Sequence, residues 1–387
     1  MKISTKPFFS RLCSLAVIIQ LANFSIEAVV AESGSVATPD HVLLKHDPAR
    51  AYPGATLFSM PGYPEVRLVD MQGEVINSWP VQANRARLLP NCNILVIHDK
   101  REERRLVSEF DYQGNLVWQY RAPLMAHHDV QRLNNGNTIF PVRKRVIYTT
   151  PMYPEKKYRV RSDALFEVDR SGKVVWRWHA ERHLNITSCG ARPCKDGVTS
   201  DRWLTNEMDW THINTVHVLE ENPWFDAGDA RFAPGNIMIL PRAFWQVLII
   251  ERGSGRVVWR YGPQEKRSML APHEAHLIAE GLPGAGNLLV FDNGRAQRPY
   301  SVVREVNPLT KETLWSYEEP EEFFSRGAGA VQRLPNGNTL VSEDERGRIF
   351  EVTEDKQIVW EFKGRPEPYR AKRYSLDYCP DLVLSNS

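Results

Sequence analysis

Phe166-Glu-Val-Asp169 followed by Gly172-Lys-Val-Val-Trp176 is the stretch that decides the architecture. An apolar run, an acidic turn, a glycine and a second apolar run read as strand, tight turn, strand. The phrase recurs along the chain. It stands as Gly73-Glu-Val-Ile76 after Leu68-Val-Asp70, and as Gly114-Asn-Leu-Val-Trp118 after Glu109-Phe-Asp111. It returns as Gly255-Arg-Val-Val-Trp259 after Ile249-Ile-Glu251, Lys311-Glu-Thr-Leu-Trp315 after Val306-Asn307, and Lys356-Gln-Ile-Val-Trp360 after Phe350-Glu-Val-Thr353. A second phrase alternates with the first, a Gly or Asn turn and then an apolar strand: Gly54–Phe58, Cys92–Val96, Gly136–Phe140, Gly235–Ile239, Gly286–Val290 and Gly337–Val341. Each unit therefore carries two hairpins, hence four strands. Four short antiparallel strands in six copies predict an all-β fold, a six-bladed β-propeller with long loops on one face. A β-sandwich or a pair of β domains is the competing reading, but nothing breaks the repeat. Trp118, Trp176, Trp259, Trp315 and Trp360 are expected to pack between blades.

The ends of the chain read differently. Lys2, Lys6 and Arg11 precede an apolar stretch from Leu12 to Phe24, with Val29-Val30-Ala31 as a cleavage site, so residues 1–31 read as a signal peptide. The competing reading is a retained anchor, but the stretch is short for a membrane span. Residues 32–50 form an N-terminal extension, 51–362 the propeller and 363–387 a C-terminal tail on this reading. The protein is expected in the periplasm or secreted, without membrane contact after signal cleavage. The chain carries +2 overall, and the signal segment accounts for about that much, so a near-neutral mature protein argues against nucleic acid as partner. Cys189 and Cys194 share a loop containing Gly and Pro, and in an exported protein they are expected to form a local disulfide. Their spacing does not suit a zinc pair. Cys92 replaces the usual turn glycine.

Aligning the units on their turns brings polar residues to one level. Eight residues before Gly136 is His128, and eight before Cys92 is Asn84. His273 and Asn214 align with His128 through the apolar residues that end their strands, and His212 stands two residues before Asn214. Six residues on from Asn236, Asn137 and Asn287 are Arg242, Arg143 and Asn293. One strand runs toward the turn and the next runs back, so all these positions fall at the same end of the hairpin, near the axis. Convergence of His128, Arg143, His212, Asn214, Arg242, His273 and Asn293 at a channel mouth is a site hypothesis. The insertions 143–163 and 180–208 are expected as loops over that face. The insertion 220–234 falls on the opposite face. His127 and His276 point the other way by strand alternation. His98, His179, His183 and His217 are given structural roles. A histidine cluster can hold zinc, but Arg242 in its midst would repel a cation. Imidazoles with a guanidinium suit an oxyanion.

His127-His-Asp-Val130, Asp209-Trp-Thr-His-Ile-Asn214, Arg242, His273-Glu-Ala275 and Gly286–Gly294, with the closing Tyr369-Arg-Ala371, resemble the bacterial arylsulfotransferases, which use no nucleotide sulfate donor. The resemblance spans about residues 50 to 375. It implies a six-bladed propeller without cofactor or metal. It implies an aryl sulfate donor and a phenolic acceptor as partners, and ping-pong transfer through a sulfohistidine. His273 matches the nucleophile's place, with His212 and Arg242 as its catalytic companions. His128, His212, Asn214 and Arg242 match the sulfate-binding places, and Arg143 and Asn293 are expected beside them. Larger family members carry an N-terminal β-sandwich, and on this reading the stretch between the signal segment and the first blade is too short to hold one. The readings from other classes are a propeller that binds sulfated aromatics or glycans without turnover, and a metal-dependent hydrolase.

Overall fold

The computed structural model describes residues 41–192, 197–262 and 269–384, and its strands form six sheets arranged as a β-propeller. The second blade runs outward from the axis as Ala83–Leu88, Ile94–His98, Leu106–Phe110 and Leu116–Arg121. The fourth is Ile213–Val218, Ile237–Pro241, Val247–Ile250 and Val257–Tyr261, and the fifth is Glu274–Leu277, Leu288–Asp292, Val302–Val306 and Thr313–Glu318. Strands second from the axis, such as Ile237–Pro241, are buried along their whole length. Blades stack face to face, so both sides of these strands meet apolar neighbours and no inside-outside alternation survives.

The ring is closed by both ends of the described chain. Tyr369–Tyr374 is the innermost strand of the first blade, ahead of Ala55–Ser59, Val66–Val69 and Val75–Trp79. His41–His46 adds a fifth, outermost strand to the sixth blade, beside Ile358–Gly364. The propeller therefore extends beyond 51–362 at both ends: part of the expected extension and part of the expected tail are blade strands. The reason is edge satisfaction, because an unfilled inner position would leave a row of unpaired backbone groups at the axis. Gly54 consequently lies in no hairpin turn; a Cβ there would stand 2.4 Å from the Tyr374 carbonyl oxygen, so the close approach of the closing strand requires glycine. The proposed signal segment lies outside the described residues.

The recurrent tryptophans link successive blades. The indole N–H of Trp79 donates to Asp111 O, Trp118 to Arg170, Trp176 to Arg252, Trp259 to Pro308, Trp315 to Glu354 and Trp360 back to Met71, all at 2.7–3.1 Å. Each acceptor lies in the next blade, so the six bonds run once around the ring. The turn asparagines serve a parallel purpose. Asn93, Asn137, Asn287 and Asn338 each donate to a buried glutamate of their own blade, Glu109, Glu167, Glu305 and Glu351 respectively. Arg132, Arg252, Arg333 and Arg373 of the following blade then bind the same glutamates. A buried carboxylate is tolerated only when paired and hydrogen-bonded in this way.

Cys92 and Cys379 form a disulfide, which fastens the segment after the closing strand to the inner hairpin of the second blade. Cys92 holds a left-handed φ of 61°, close to the region used by Gly136, Gly235, Gly286 and Gly337 at the equivalent turns. A non-glycine residue there costs about 1 kcal/mol, against roughly 2–4 kcal/mol from cross-linking chain segments far apart in sequence. Cys189 is also disulfide-bonded; its expected partner Cys194 lies outside the described residues.

The expected loop 143–163 is instead a continuous hairpin. Thr138–Thr150 pairs with Tyr153–Val168 from Thr138↔Val168 to Thr150↔Tyr153, so two blade strands simply continue past the propeller face. The alternation of exposed and half-buried residues along Lys144–Thr150 is that of an extended ribbon. The described part of the insertion 180–208 folds against it through two short helices, and Glu207–Asp209 joins its edge in parallel. Among the described residues no helix is long and apolar enough to cross a membrane.

Candidate functional site

The phrase Asp209-Trp-Thr-His-Ile-Asn214 holds one imidazole in place. Asp209 is anchored by the parallel pairing of Glu207–Asp209 with Arg159–Arg161. Trp210 is buried, and its indole donates to Ser188 O at 2.8 Å. The Thr211 hydroxyl and the Ile213 N–H both donate to Asp163 Oδ2, at 2.7 and 2.8 Å. Arg242 N–H donates to His212 O, and Ala243 N–H to Thr211 O. Clamped on both sides, His212 takes φ 53°, a conformation that costs free energy and persists only where surroundings impose it. Its Nδ1 lies 2.5 Å from Asp209 Oδ2, which leaves Nε2 facing the channel.

His128 meets it there. The inner strand of the third blade is interrupted between Met125–Ala126 and Gln131–Arg132, and His128 sits in the gap with φ 62°. Its N–H donates to Asn84 Oδ1, the side chain that the turn alignment put at the same level. His128 Nε2 and His212 Nε2 are 3.0 Å apart, with the rings stacked at 4.9 Å. With His212 Nδ1–H directed at Asp209, a single proton can lie between the two Nε2 atoms. Burial first, and then neighbouring cationic groups including His127 and His212, hold His128 well below the usual imidazole range. Asp209 is brought down to about 2; burial opposes this, and its bond to His212 outweighs it.

His273 is fixed by a separate arrangement. Its Nδ1 is 2.8 Å from Asn293 Oδ1, while Asn293 Nδ2 donates to the carbonyls of Ser325 and Ala328, both at 2.6 Å. Two carbonyl acceptors oblige that end of the amide to be the NH₂ group, so Asn293 Oδ1 must accept. The His273 proton is thereby confined to Nδ1, and Nε2 carries the lone pair. Burial, then the Arg242 charge, hold His273 well below the usual imidazole range, so it is neutral at pH 7. Asn293 has no donor left for a ligand; its place is behind His273, not beside an anion as expected.

The other expected residues differ in placement. Arg242 acts electrostatically on His273 and is bonded through its backbone to His212, so it is tied to both imidazole groups. Its Nε is buried without a partner among the described residues. Asn214 is buried, with Oδ1 likewise unpartnered and Nδ2 only 3.5 Å from Pro272 O. Arg143 is opposite Asp163 on the hairpin and acts on Asp209 and His127, behind the imidazole pair. His127 turns away to within 3.0 Å of Asp163, as strand alternation predicts.

Arg370 is the residue that the turn alignment missed. It lies on the closing strand, buried, with φ 53°. Its guanidinium donates to His128 O at 2.5 Å, Asn214 O at 2.9 Å and His273 O at 2.7 Å. Those are the three positions that the alignment equates across blades, and one side chain gathers their carbonyls at the axis. The signal was Tyr369-Arg-Ala371, but its strand follows no repeat turn. Arg192 and Arg295 also act on Arg242, adding positive charge to this mouth.

Residues 121–365 match the family model described as Arylsulfotransferase (ASST). No curated protein matches the chain. Among solved structures, a protein of unknown function from Bacteroides caccae is similar at 12% identity and TM-score 0.54, over 85% of this chain and 99% of that one. A streptogramin B lyase aligns at 10% identity and TM-score 0.46, over 87% of this chain and 98% of that one. At such identity the likeness to the Bacteroides caccae protein is one of fold. The family match covers well over half of the chain, and the chain belongs to the arylsulfotransferase (ASST) family.

Proposed function

We propose that the protein moves a sulfuryl group from a phenolic sulfate ester to a phenolic acceptor, through a sulfohistidine at His273. The observation that carries this reading is the hydrogen bond from His273 Nδ1 to Asn293, which leaves an unprotonated Nε2 beside Arg242. In the first half-reaction the Nε2 lone pair attacks sulfur, the bond from sulfur to the aryl oxygen breaks, and the phenolate leaves with both electrons of that bond. The proton that the His128–His212 pair takes up on binding the anionic donor passes to it, leaving both rings neutral. In the second half-reaction the acceptor phenol loses its proton to that pair, its oxygen attacks sulfur, and the S–N bond returns its electrons to Nε2.

The sulfuryl group spreads negative charge over its oxygens in transit, by analogy with phosphoryl transfer. Arg242, His128, His212 and Asn214 hold those oxygens on this reading, and each such donor is typically worth about 3–4 kcal/mol in the transition state. Arg143 contributes charge from behind. Export to the periplasm or beyond belongs to the same proposal, and the Cys92–Cys379 disulfide suits an oxidising compartment.

The test is intact-mass spectrometry after incubation with an aryl sulfate and no acceptor. One added sulfuryl group, mapped to His273 and discharged by a phenol, is the expected result. Phenol release with no modified histidine would overturn the covalent route. Binding with no phenol release at all would leave a non-catalytic receptor.

A further inference from the structure

The inner strands that carry the site continue to the other end of the channel, and a second set of polar groups is gathered there. His276 follows His273 on one strand, His217 follows Asn214, and Lys372 follows Arg370. At about 3.3 Å per residue, His217 and His276 lie about 10 Å further along the axis than Asn214 and His273. Between the two levels an ion network fills the channel. Arg85 Nε is 3.2 Å from Asp129, Arg87 donates to Asp129 at 2.8 Å, Arg370 Nε is 3.9 Å from Glu274, and Lys372 binds Glu274. Four cations thus face two carboxylates. Burial pushes a third nearby carboxyl, Asp344, up to about 7, so it supplies only part of a charge.

Beyond that network opens a cavity of about 270 Å³ lined by Arg87, Thr215, His217, Glu274, His276 and Lys372, among others. It adjoins an outer cleft of about 580 Å³, with which it shares Gln131 and Ala279. The outer cleft is walled by Glu220, Glu221 and Pro234 of the insertion 220–234, so the segment left without a purpose by the transferase site shapes this opening. Within the cavity the rings of His217 and His276 stand 6.1 Å apart, and neither makes a hydrogen bond among the described residues. His276 Nδ1 comes no nearer than 3.8 Å to Glu274. The Arg87 Nε is buried and likewise without a hydrogen bond there. Donors that excess positive charge surrounds, left unpaired in a cavity several times the ~30 Å³ of a water molecule, describe a receptor for an anion.

We propose that this cavity is a second binding site, for a small oxyanion or a molecule presenting one, reached from the face opposite the His273 site. His217 and His276 close on the oxyanion from two blades, while Arg87 and Lys372 supply charge. Burial and then Arg87 hold His217 down at about 4, and burial and then Lys372 hold His276 well below the usual range. A bound anion opposes the cations and lets both rings take up protons.

The experiment is an NMR titration of the whole protein, labelled with ¹⁵N in its histidine rings, using inorganic sulfate in one arm and acetate in the other. Saturable shifts of the His217 and His276 signals with either anion, and affinity reduced about tenfold in His217→Asn and His276→Asn, are expected. Response in the sulfate arm alone makes the ligand a sulfate or sulfate ester, and response to acetate extends it to carboxylates. Linear, unsaturating shifts mean an adventitious ion only and overturn the proposal. So do shifts at His128 and His273 without any at His217 and His276, a result that would leave the transferase reading intact.

Discussion

Arg370 Nη2 lies 2.7 Å from the carbonyl oxygen of His273, although 97 residues separate the two in sequence. The same guanidinium holds the His128 and Asn214 carbonyls. The closing strand therefore sets the spacing of three blades at the level where the candidate site begins. A buried guanidinium with several acceptors is a rigid spacer, because its fork is planar and all its donors are fixed together.

Arg370→Lys should keep the charge and lose the fork. We expect the transferase kcat to fall by about 10²-fold, the scale attached to misplacement of about 1 Å, with a smaller change in KM and circular dichroism unchanged. Arg370→Met should unfold more easily as well, by roughly 3–5 kcal/mol, because Glu274 loses part of its counter-charge. A lysine variant with wild-type kcat would show that the carbonyl clamp does not position the site.

Asn293→Asp tests the tautomer. A carboxylate in place of the amide oxygen favours the imidazolium form of His273, so its pKa rises. The acidic limb of the pH profile for kcat/KM should then move to higher pH, since the proposed nucleophile is lost to protonation earlier. Asn293→Ala should lower kcat without that upward movement. Identical pH profiles for wild type and Asn293→Asp would sink the assignment of Asn293 as the group behind His273.

Anion binding at the His128–His212 pair should carry a proton with it. One proton lies between the two Nε2 atoms at rest, and an oxyanion inserted there needs one from each ring. Binding of a non-reactive sulfonate should tighten as pH falls from 8 toward 6. Calorimetry in buffers of different ionisation heat should report uptake near one proton. Zero uptake would mean that the pair does not receive the anion.

Stability should fall on the acid side. His127, His128, His217, His273 and His276 all have folded pKa values below the unfolded 6.5, so the unfolded chain binds more protons as pH drops through that value. Their contribution is whole above pH 6.5 and is lost progressively below it. For His217, held at about 4, this amounts to roughly 3 kcal/mol. Asp344, raised to about 7, and Glu343, also raised, act in the opposite sense, because their folded forms keep a proton that the unfolded chain releases. His98 and His179 are lowered as well, and seven imidazoles against two carboxyls predict a Tm that declines between pH 7 and 5. A Tm that is flat or rising over that interval would contradict the buried neutral state of these imidazoles.

Cys379→Ser should cost about 2–4 kcal/mol of stability and leave the rate at low temperature unchanged, since the bond lies outside the channel. Calorimetry with and without reductant checks it: reductant should lower the wild-type Tm toward that of the variant, and no shift on reduction would show that the bond adds nothing.

Much of this molecule was legible because propeller hairpins are local. Gly172-Lys-Val-Val-Trp176 and its copies form turns between adjacent strands, and a turn of fixed length sets the register on both sides. The equivalence of His128, Asn214 and His273 followed from aligning the inner hairpins on the apolar residues that end their first strands, and Arg370 meets all three carbonyls. Counting fails where pairing ceases to be local. Tyr369–Tyr374 completes a blade begun more than 300 residues earlier, with no turn to announce it. Counting gave the level of Asn293 but not its partners, because level is backbone geometry and partners depend on which acceptors stand behind a side chain. The hairpin over 143–163 was taken as a loop because its exposed ribbon lacks the apolar run that marks a blade strand.

The order of residues alone determined the number of blades, the level of the polar ring and the identity of the imidazoles on it. Each depends on hydrogen bonds between neighbours in the chain. Tertiary structure alone decided which histidine nitrogen bears a proton, that Arg370 occupies the axis, and that a second cavity lies beyond it. Those outcomes depend on groups from separate blades meeting in a dry channel, where an unpaired donor is costly and each side chain must take the partner that distant backbone provides.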